Sequence, residues 1–178
     1  EYKDPALNAY VAGLGKEIAR VSHRPNLEYN FRVVDSPIVN AFAVPGGYVY
    51  FTRGILAHFN SEDELAGVMG HEIGHVVARH GAEQQTRAQL ATLGLGLGSV
   101  LSEDFQKISG ALQMGVGLLF LKYGRGQESE SDKLGADYST RLGYDAHQMA
   151  GFFRTIGRLS EGSGQQIPTF MSTHPDPG

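Results

Sequence analysis

One stretch decides the fold: residues 61 to 77 read SEDELAGVMGHEIGHVV. Ser61 and Glu64 have the spacing of a capping box, in which a serine hydroxyl accepts the backbone N–H three residues on. The apolar residues that follow recur at helical spacing; they are Leu65, Val68, Met69, Ile73, Val76 and Val77. The pattern therefore predicts an amphipathic helix that begins after Ser61, with Gly81 as its stop.

Within this helix, two histidines are separated by three residues in the run His71-Glu72-Ile73-Gly74-His75. Residues four apart lie above one another on one helix face, so both imidazoles can bind one metal ion. Glu72 then lies beside the open side of that ion, where it can take a proton from metal-bound water. Two unrelated histidines on an apolar helix are the alternative. The capped, amphipathic context favours a zinc site, with His71 and His75 as ligands and Glu72 as general base.

A catalytic zinc ion usually has three protein ligands and one open position, so a third ligand is needed. A helix is predicted over residues 127–142, and Glu128 and Asp132 lie one turn apart on it. We predict that Glu128 is the third ligand and that Asp132 accepts the free ring N–H of a ligating histidine. Glu130 points elsewhere and is predicted to be solvated. An acidic helix face without a metal is the alternative for this cluster.

His80 is a nearby candidate whose spacing argues against it. It follows His75 by five residues, so on a continuous helix its side chain points about 140° away. We interpret His80 as a last-turn residue that interacts favourably with the helix dipole.

The composition is that of a globular protein, and it excludes several classes of functional site. The chain has 178 residues, of which 41% are hydrophobic and 19% charged, as in one compact domain. A formal net charge of -4 and the lack of a Lys/Arg run argue against a nucleic-acid partner. There is no cysteine, which excludes disulfides, thiolate ligands and a cysteine nucleophile. Because the chain begins at Glu1 rather than Met, we interpret it as a fragment of a longer precursor.

The segment before this helix predicts a small sheet. Residues 27–33 alternate between apolar and polar side chains, as a half-buried strand does. Residues 38–44 and 48–52 are predicted to pair as a hairpin across a turn at residues 45–47, Pro-Gly-Gly.

Capping and turn residues predict further helices on either side. One opens at Asp4-Pro5, one begins at about Glu83, and the last is capped by Asp145. The tail from Gly162 is predicted to be a loop. The expected fold class is α+β, a small sheet packed against several helices, in one domain over residues 1–178.

Residues 93–121 form the most apolar, glycine-rich stretch. They contain Glu103, Asp104 and Lys107, so they are not one uninterrupted membrane span. We predict two buried helical pieces; a surface that touches a bilayer or a partner is the alternative.

Five ordered motifs carry a family resemblance. They are Asn40-Ala41-Phe42-Ala43-Val44-Pro45-Gly46-Gly47, His71–His75, Glu128–Gly135, Gly143-Tyr144-Asp145 and Ser172-Thr173-His174-Pro175. In these motifs nearly the whole chain resembles peptidase family M48, the group of HtpX, BepA and the CAAX prenyl proteases, and within it the soluble bacterial BepA-like branch. Two residues depart from the family pattern: Ser131, where Ala is usual, and Gly124, where Ser is usual. Neither is a predicted ligand.

The resemblance implies a gluzincin-type zincin fold, one zinc ion per chain and endopeptidase activity. It implies that the substrates are unfolded or membrane-associated proteins and that the enzyme acts in protein quality control in the bacterial periplasm or cell envelope. A membrane or envelope partner is possible on this interpretation. It implies that His71, His75 and Glu128 are the zinc ligands and that Glu72 is the general base. A zinc-holding chaperone-like domain and an aminopeptidase are the alternatives; the intact Glu72 argues against the first.

Three further features of the site are left open. His174 precedes a proline, which favours an extended backbone, and we predict that it lies near the zinc. There it either gates the open position, which we favour, or stabilises the oxyanion; a loop histidine without a role is the alternative. Tyr123 and Tyr138 are other candidates for the oxyanion. Substrate is expected to pair with an edge of strand 38–44 or 48–52, unless both are core strands.

Overall fold

The computed structural model describes residues 1–92, 122–163 and 169–174, which contain seven helices and three strands. The helices are α1 (Pro5–Arg20), α2 (Arg53–Leu56), α3 (Glu62–Val77), α4 (His80–Thr92), α5 (Arg125–Arg141), α6 (Gln148–Ser163) and α7 (Thr169–Thr173). The strands are β1 (Asn30–Val34), β2 (Ala41–Val44) and β3 (Tyr48–Thr52). A small sheet with several helices confirms the predicted α+β class.

The three strands form one sheet in the order β1-β3-β2. β1 runs parallel to β3, whereas β2 runs antiparallel to β3. The predicted hairpin is confirmed, and its turn contains Gly46 and Gly47 at φ angles of 98° and 91°, which glycine adopts without strain. Because β3 is paired on both sides, β1 and β2 are the edges of the sheet within the described residues.

Helix α3 begins as its sequence predicts and is buried along almost its whole length. The Ser61 hydroxyl accepts the N–H of Glu64 at 3.2 Å. The apolar side chains of α3, including Met69 and Ile73, are fully buried in the same core as Phe31 and Phe51 of the sheet. This packing holds α3 between the sheet and the helices that follow.

Helix α5 lies against α3 at backbone contact distance. A Cβ atom on Gly135 of α5 would lie 2.6 Å from the backbone N of His71. A Cβ atom on Gly74 of α3 would lie 3.0 Å from the Cα of Ser131. Only glycines allow this approach, and it brings the acidic first turns of α5 beside the two histidines of α3.

Several predicted helix boundaries are wrong. Helix α3 ends at Val77 and not at Gly81, and α4 begins at His80 rather than near Glu83. The chain turns at Arg79, whose φ of 63° lies in the left-handed region that usually favours glycine. The prediction of a loop from Gly162 is also wrong, because α6 continues to Ser163 and α7 occupies Thr169–Thr173.

The apolar stretch of residues 93–121, predicted to form two buried helical pieces, lies outside the described residues. Among the helices that the structure describes, none has the length and hydropathy needed to cross a membrane.

Candidate metal centre

Helix α3 presents three side chains of the motif in the interior of the protein. His71 and Glu72 are 0% exposed and His75 is 1% exposed. The Nε2 atoms of His71 and His75 lie 3.0 Å apart, as expected for residues one turn apart on one helix face.

Glu128 on the first turn of α5 completes a three-residue cluster with these histidines. Its Oε2 lies 3.4 Å from His71 Nε2, and its Oε1 lies 3.5 Å from His75 Nε2. Four ligand atoms about 2.0–2.1 Å from a tetrahedral zinc lie roughly 3.3 Å from one another. The spacing of the two imidazole nitrogens and the Glu128 carboxylate is therefore that of ligands around one small metal ion.

The hydrogen bonds behind the histidines also fit a metal ion. His71 Nδ1 lies 2.7 Å from Asp132 Oδ1, so this nitrogen carries the proton and donates to the carboxylate. Nε2 of a neutral His71 then has a free lone pair that faces the cluster. Glu128 Oε1 is buried without a hydrogen-bond partner in the described part of the chain. A lone pair and an unpaired carboxylate oxygen that face the same point are satisfied by a bound cation.

The electrostatics of the cluster favour positive charge. Burial acts to lower the pKa of His71, but its hydrogen bonds to Asp132 and Glu128 outweigh burial and raise the pKa to about 10. Burial acts to raise the pKa of Glu128, but hydrogen bonds to His174 and His71 bring it below its ordinary value. The pKa of His75 lies well below its ordinary value because of burial and of the neighbouring histidine charges. The cluster therefore favours a positive charge at His71, beside the Glu128 carboxylate, and a metal cation would meet the same field.

Glu72 lies beside the cluster without joining it. Neither of its carboxylate oxygens makes a hydrogen bond of normal geometry among the described residues. The nearest basic atom is His174 Nε2, 3.5 Å from Oε1. Burial raises the pKa of the Glu72 carboxyl, against the charges of His174 and His71. A buried carboxylate with a raised pKa and no hydrogen-bond partner among the described residues is suited to accept and return a proton.

His174 follows α7 and reaches the same cluster from a distant part of the chain. It is 3% exposed, and its Nδ1 lies 3.1 Å from His71 Nε2 and 3.2 Å from Glu128 Oε2. One donor atom from each of His71, His75, Glu128 and His174 lies within 4.8 Å of the others. In this structure His174 is therefore a fourth residue of the donor set, next to Glu72.

His80 is the residue that sequence reasoning misplaced. Its Nδ1 lies 2.9 Å from His75 Nδ1, so it lies behind His75 and does not point away from it. The expected angle assumed one continuous helix, whereas the turn at Arg79 redirects the chain and makes His80 the first residue of α4. Glu130 is 60% exposed, as predicted, but its Oε2 lies 3.3 Å from His80 Nε2. No feature of the sequence indicated this contact, because the residue in the left-handed conformation is Arg79 and not the glycine that usually marks such a turn.

The two tyrosines considered for the oxyanion occupy different sides of the protein. Tyr123 is stacked on His75, with ring centroids 3.9 Å apart, and its hydroxyl donates to Ala43 O at 3.4 Å. The Tyr138 hydroxyl lies 2.8 Å from the Nδ1 of His23. Only Tyr123 lies in contact with the cluster.

The sheet order also separates the two strands considered for substrate binding. β3 is the central strand, so its backbone groups are already paired and the suggestion that it binds substrate is wrong. β2 is an edge strand, and Asn40 O accepts Thr52 N–H at 3.1 Å. Because alternate residues of an antiparallel strand face opposite edges, Ala41 and Ala43 direct their backbone groups outward. This edge lies beside α3, and the carbonyl of Ala43 on it already accepts the Tyr123 hydroxyl.

Comparisons with known proteins match nearly the whole chain. The model of peptidase family M48 matches residues 4–178. The mitochondrial metalloendopeptidase OMA1 of Arabidopsis thaliana is 36% identical over 161 residues, which cover 90% of this chain and 32% of that protein. The beta-barrel assembly-enhancing protease of Yersinia pestis is 32% identical over 187 residues, covering 98% and 37%. The OMA1 of Schizosaccharomyces pombe is 34% identical over 171 residues, covering 93% and 48%. The chain thus spans about a third to a half of the length of these relatives.

Proposed function

The chain belongs to peptidase family M48, and from this premise we propose that it is the zinc-dependent endopeptidase domain of its protein. The observation that carries the proposal is the spacing of His71 Nε2, His75 Nε2 and the Glu128 carboxylate, 3.0 to 3.5 Å apart. Such a closed set of three donors, with Glu72 at its side, is what a hydrolytic metal site requires.

The proposed ligands of one zinc ion are His71, His75 and Glu128. Two imidazoles and one carboxylate form a donor set that suits zinc in a tetrahedral site. Asp132 orients His71 through the hydrogen bond at Nδ1. His174 lies where the fourth position of the ion is expected, and we assign it the gate of that position.

When bound, zinc supplies Lewis acidity, which lowers the pKa of water and polarises the scissile carbonyl. Glu72 accepts the proton of the attacking water and passes it to the leaving amine. Its raised pKa supports this role, because the carboxyl must hold the proton between the two steps. Attack by water needs no covalent intermediate, and the chain's lack of cysteine agrees with this route.

The proposed substrate is an extended, unfolded polypeptide. It pairs with the outer edge of β2 at Ala41; the carbonyl of Ala43 on the same edge already accepts the Tyr123 hydroxyl. Backbone pairing depends little on the side chains of the substrate. Such low sequence specificity suits quality control of damaged or misassembled proteins. The name of the Yersinia pestis relative refers to beta-barrel assembly, and we extend it to propose activity on envelope proteins in a bacterial periplasm. We further propose that residues 1–178 form one metallopeptidase domain.

The test is cleavage of unfolded casein by the zinc-loaded chain, with the cut sites mapped by mass spectrometry. Glu72→Gln should keep one zinc ion per chain and abolish cleavage, because Glu72 is a base and not a ligand. Glu28→Gln, a change of an exposed glutamate, is the matched control and should cleave like the wild type. Near wild-type turnover by Glu72→Gln would refute the mechanism, and cuts confined to terminal residues would indicate an exopeptidase.

A further inference from the structure

The two histidines of the motif have different partners at Nδ1. His71 Nδ1 lies 2.7 Å from the carboxylate of Asp132. His75 Nδ1 lies 2.9 Å from another imidazole nitrogen, His80 Nδ1. His80 is 3% exposed, so water does not provide the alternative partner that an exposed imidazole would have.

Two contacts select one arrangement of protons along this second chain of hydrogen bonds. His75 Nε2 faces His71 and Glu128, so a ligating His75 needs its lone pair at Nε2 and its proton at Nδ1. The 2.9 Å contact then requires a lone pair on His80 Nδ1 and places the His80 proton on Nε2. That proton faces Glu130 Oε2 at 3.3 Å, where a carboxylate accepts it.

The opposite arrangement does not suit a ligating His75. A proton on His80 Nδ1 would put the His75 proton on Nε2, where it would occupy the lone pair that a metal ion needs. It would also turn the lone pair of His80 Nε2 toward the Glu130 carboxylate. Ser131, a departure from the family pattern, has its Oγ 3.3 Å from His80 Nδ1 and can donate to the same lone pair.

We propose that His80 is a positioning residue that holds His75 in the tautomer with a free Nε2 lone pair, and thereby strengthens zinc binding. The inference rests on the proposed function in that His75 is taken as a zinc ligand. His80 accepts the Nδ1 proton of His75, as Asp132 accepts the Nδ1 proton of His71. The acceptor is here a neutral imidazole, whose own Nε2 proton is donated to Glu130. Outer partners of this kind typically change metal affinity by about 10–100-fold when they are lost.

The test compares variants of the full chain by zinc affinity, measured in competition with a chromophoric chelator. His80→Leu fills the space without an acceptor and should weaken zinc binding by about 10–100-fold. His80→Asn places Oδ1 near the position of Nδ1 and should restore most of that loss. His147→Leu removes an exposed histidine and is the matched control, with unchanged affinity.

A second measurement reads the tautomers directly. Long-range nitrogen–proton NMR spectra of the zinc-loaded wild type should place the proton of His75 on Nδ1 and that of His80 on Nε2. A proton on His80 Nδ1 would overturn the inference whatever the affinities of the variants, including a variant that fails to fold. Equal zinc affinity of the leucine variant and the wild type, or of the leucine and asparagine variants, would also overturn it. A wild type that binds no zinc would refute the proposed function itself.

Discussion

His71 and His75 are identical side chains one helical turn apart, yet the protein surrounds them differently. Asp132 supplies His71 with a charged acceptor, and that acceptor raises the pKa of the ring. His75 is stacked on Tyr123 and has a neutral imidazole behind it, and its pKa lies well below the ordinary value. Of the two rings, His71 is therefore the one whose contacts favour a bound proton in the metal-free protein.

Among the carboxylates, we expect zinc affinity to fall in the order of their contact with the donor cluster. Glu128→Ala removes a proposed ligand and should cause the largest loss of zinc affinity. Asp132→Ala should weaken binding by about 10–100-fold, because it leaves His71 without its partner. Glu130→Ala should do little, since this side chain is 60% exposed and water can replace it. Chelator competition measures all three, and a larger effect at Glu130 than at Glu128 would contradict the assignment on α5.

His174 lies near both the metal ligands and Glu72, so its removal separates two roles. If His174 gates the fourth position, His174→Ala retains zinc and has equal or higher activity, which is the result we expect. If it stabilises the oxyanion, the variant retains zinc and loses about 10²–10³-fold in activity. Zinc content and casein cleavage measured on the same preparation distinguish these results, and unchanged values with His174 far from the zinc in a crystal structure would leave it without a role.

At the level of secondary structure, the site depends on how closely α3 and α5 approach. Gly70 and Gly74 on α3 lie against Gly135 and Ser131 on α5, and a Cβ atom added to Gly70 or Gly74 would meet backbone atoms of α5 at 2.8 to 3.0 Å. Glu128 and Asp132 project from α5, so the depth of this contact sets their distance from His71 and His75. The glycines therefore act on the metal site through helix packing and not through their own chemistry.

Gly135→Ala tests this dependence. The new Cβ would lie 2.6 Å from His71 N and 2.8 Å from Gly70 C, and a backbone cannot yield as a flexible side chain does. We expect a loss of about 1–3 kcal/mol in the free energy of unfolding, as for other overpacked contacts, together with weaker zinc binding.

Gly126→Ala is the matched control, because it lies on the same helix and its Cβ would meet nothing within 4 Å. It should be neutral or stabilising by up to about 1 kcal/mol, with unchanged zinc affinity. Denaturant unfolding and chelator competition provide the two readouts. Wild-type zinc affinity in Gly135→Ala would show that the helices can separate without moving the ligands.

At the scale of the whole molecule, the donor residues come from three parts of the chain. His71 and His75 belong to α3, Glu128 to α5, and His174 follows α7. A metal ion bound by all of them would link distant segments of the chain, since His71 and His174 are 103 residues apart in the sequence. Metal binding and the folding of the domain are therefore expected to be coupled.

This coupling predicts a single thermal transition that moves with zinc. At a zinc concentration about 100 times Kd, binding stabilises the native state by about 2.7 kcal/mol. For a domain of this size, that corresponds to a rise in Tm of about 5–10 °C. His71→Ala should abolish the rise. Calorimetry with and without a chelator measures it, and two transitions of which only one moves with zinc would contradict the single domain proposed for residues 1–178.

Much of the fold and part of the site followed from local spacing. The capped helix, the pairing of His71 with His75 on one face and the one-turn separation of Glu128 and Asp132 depend only on the helical repeat. The hairpin depends on the two glycines of its turn. Such features are visible in the amino-acid sequence because the residues that make them are neighbours.

The tertiary structure decided the rest, for reasons that no local pattern contains. The strand order made β2 an edge and β3 the centre of the sheet. The reason is that β1 pairs directly with β3, although β2 lies between them in the sequence. The left-handed turn at Arg79 placed His80 behind His75, although no glycine marked that position. His174 reached the cluster from 46 residues beyond Glu128 through the packing of α7. Spacing along a helix is set by the backbone repeat, whereas these contacts are set by which distant surfaces bury one another.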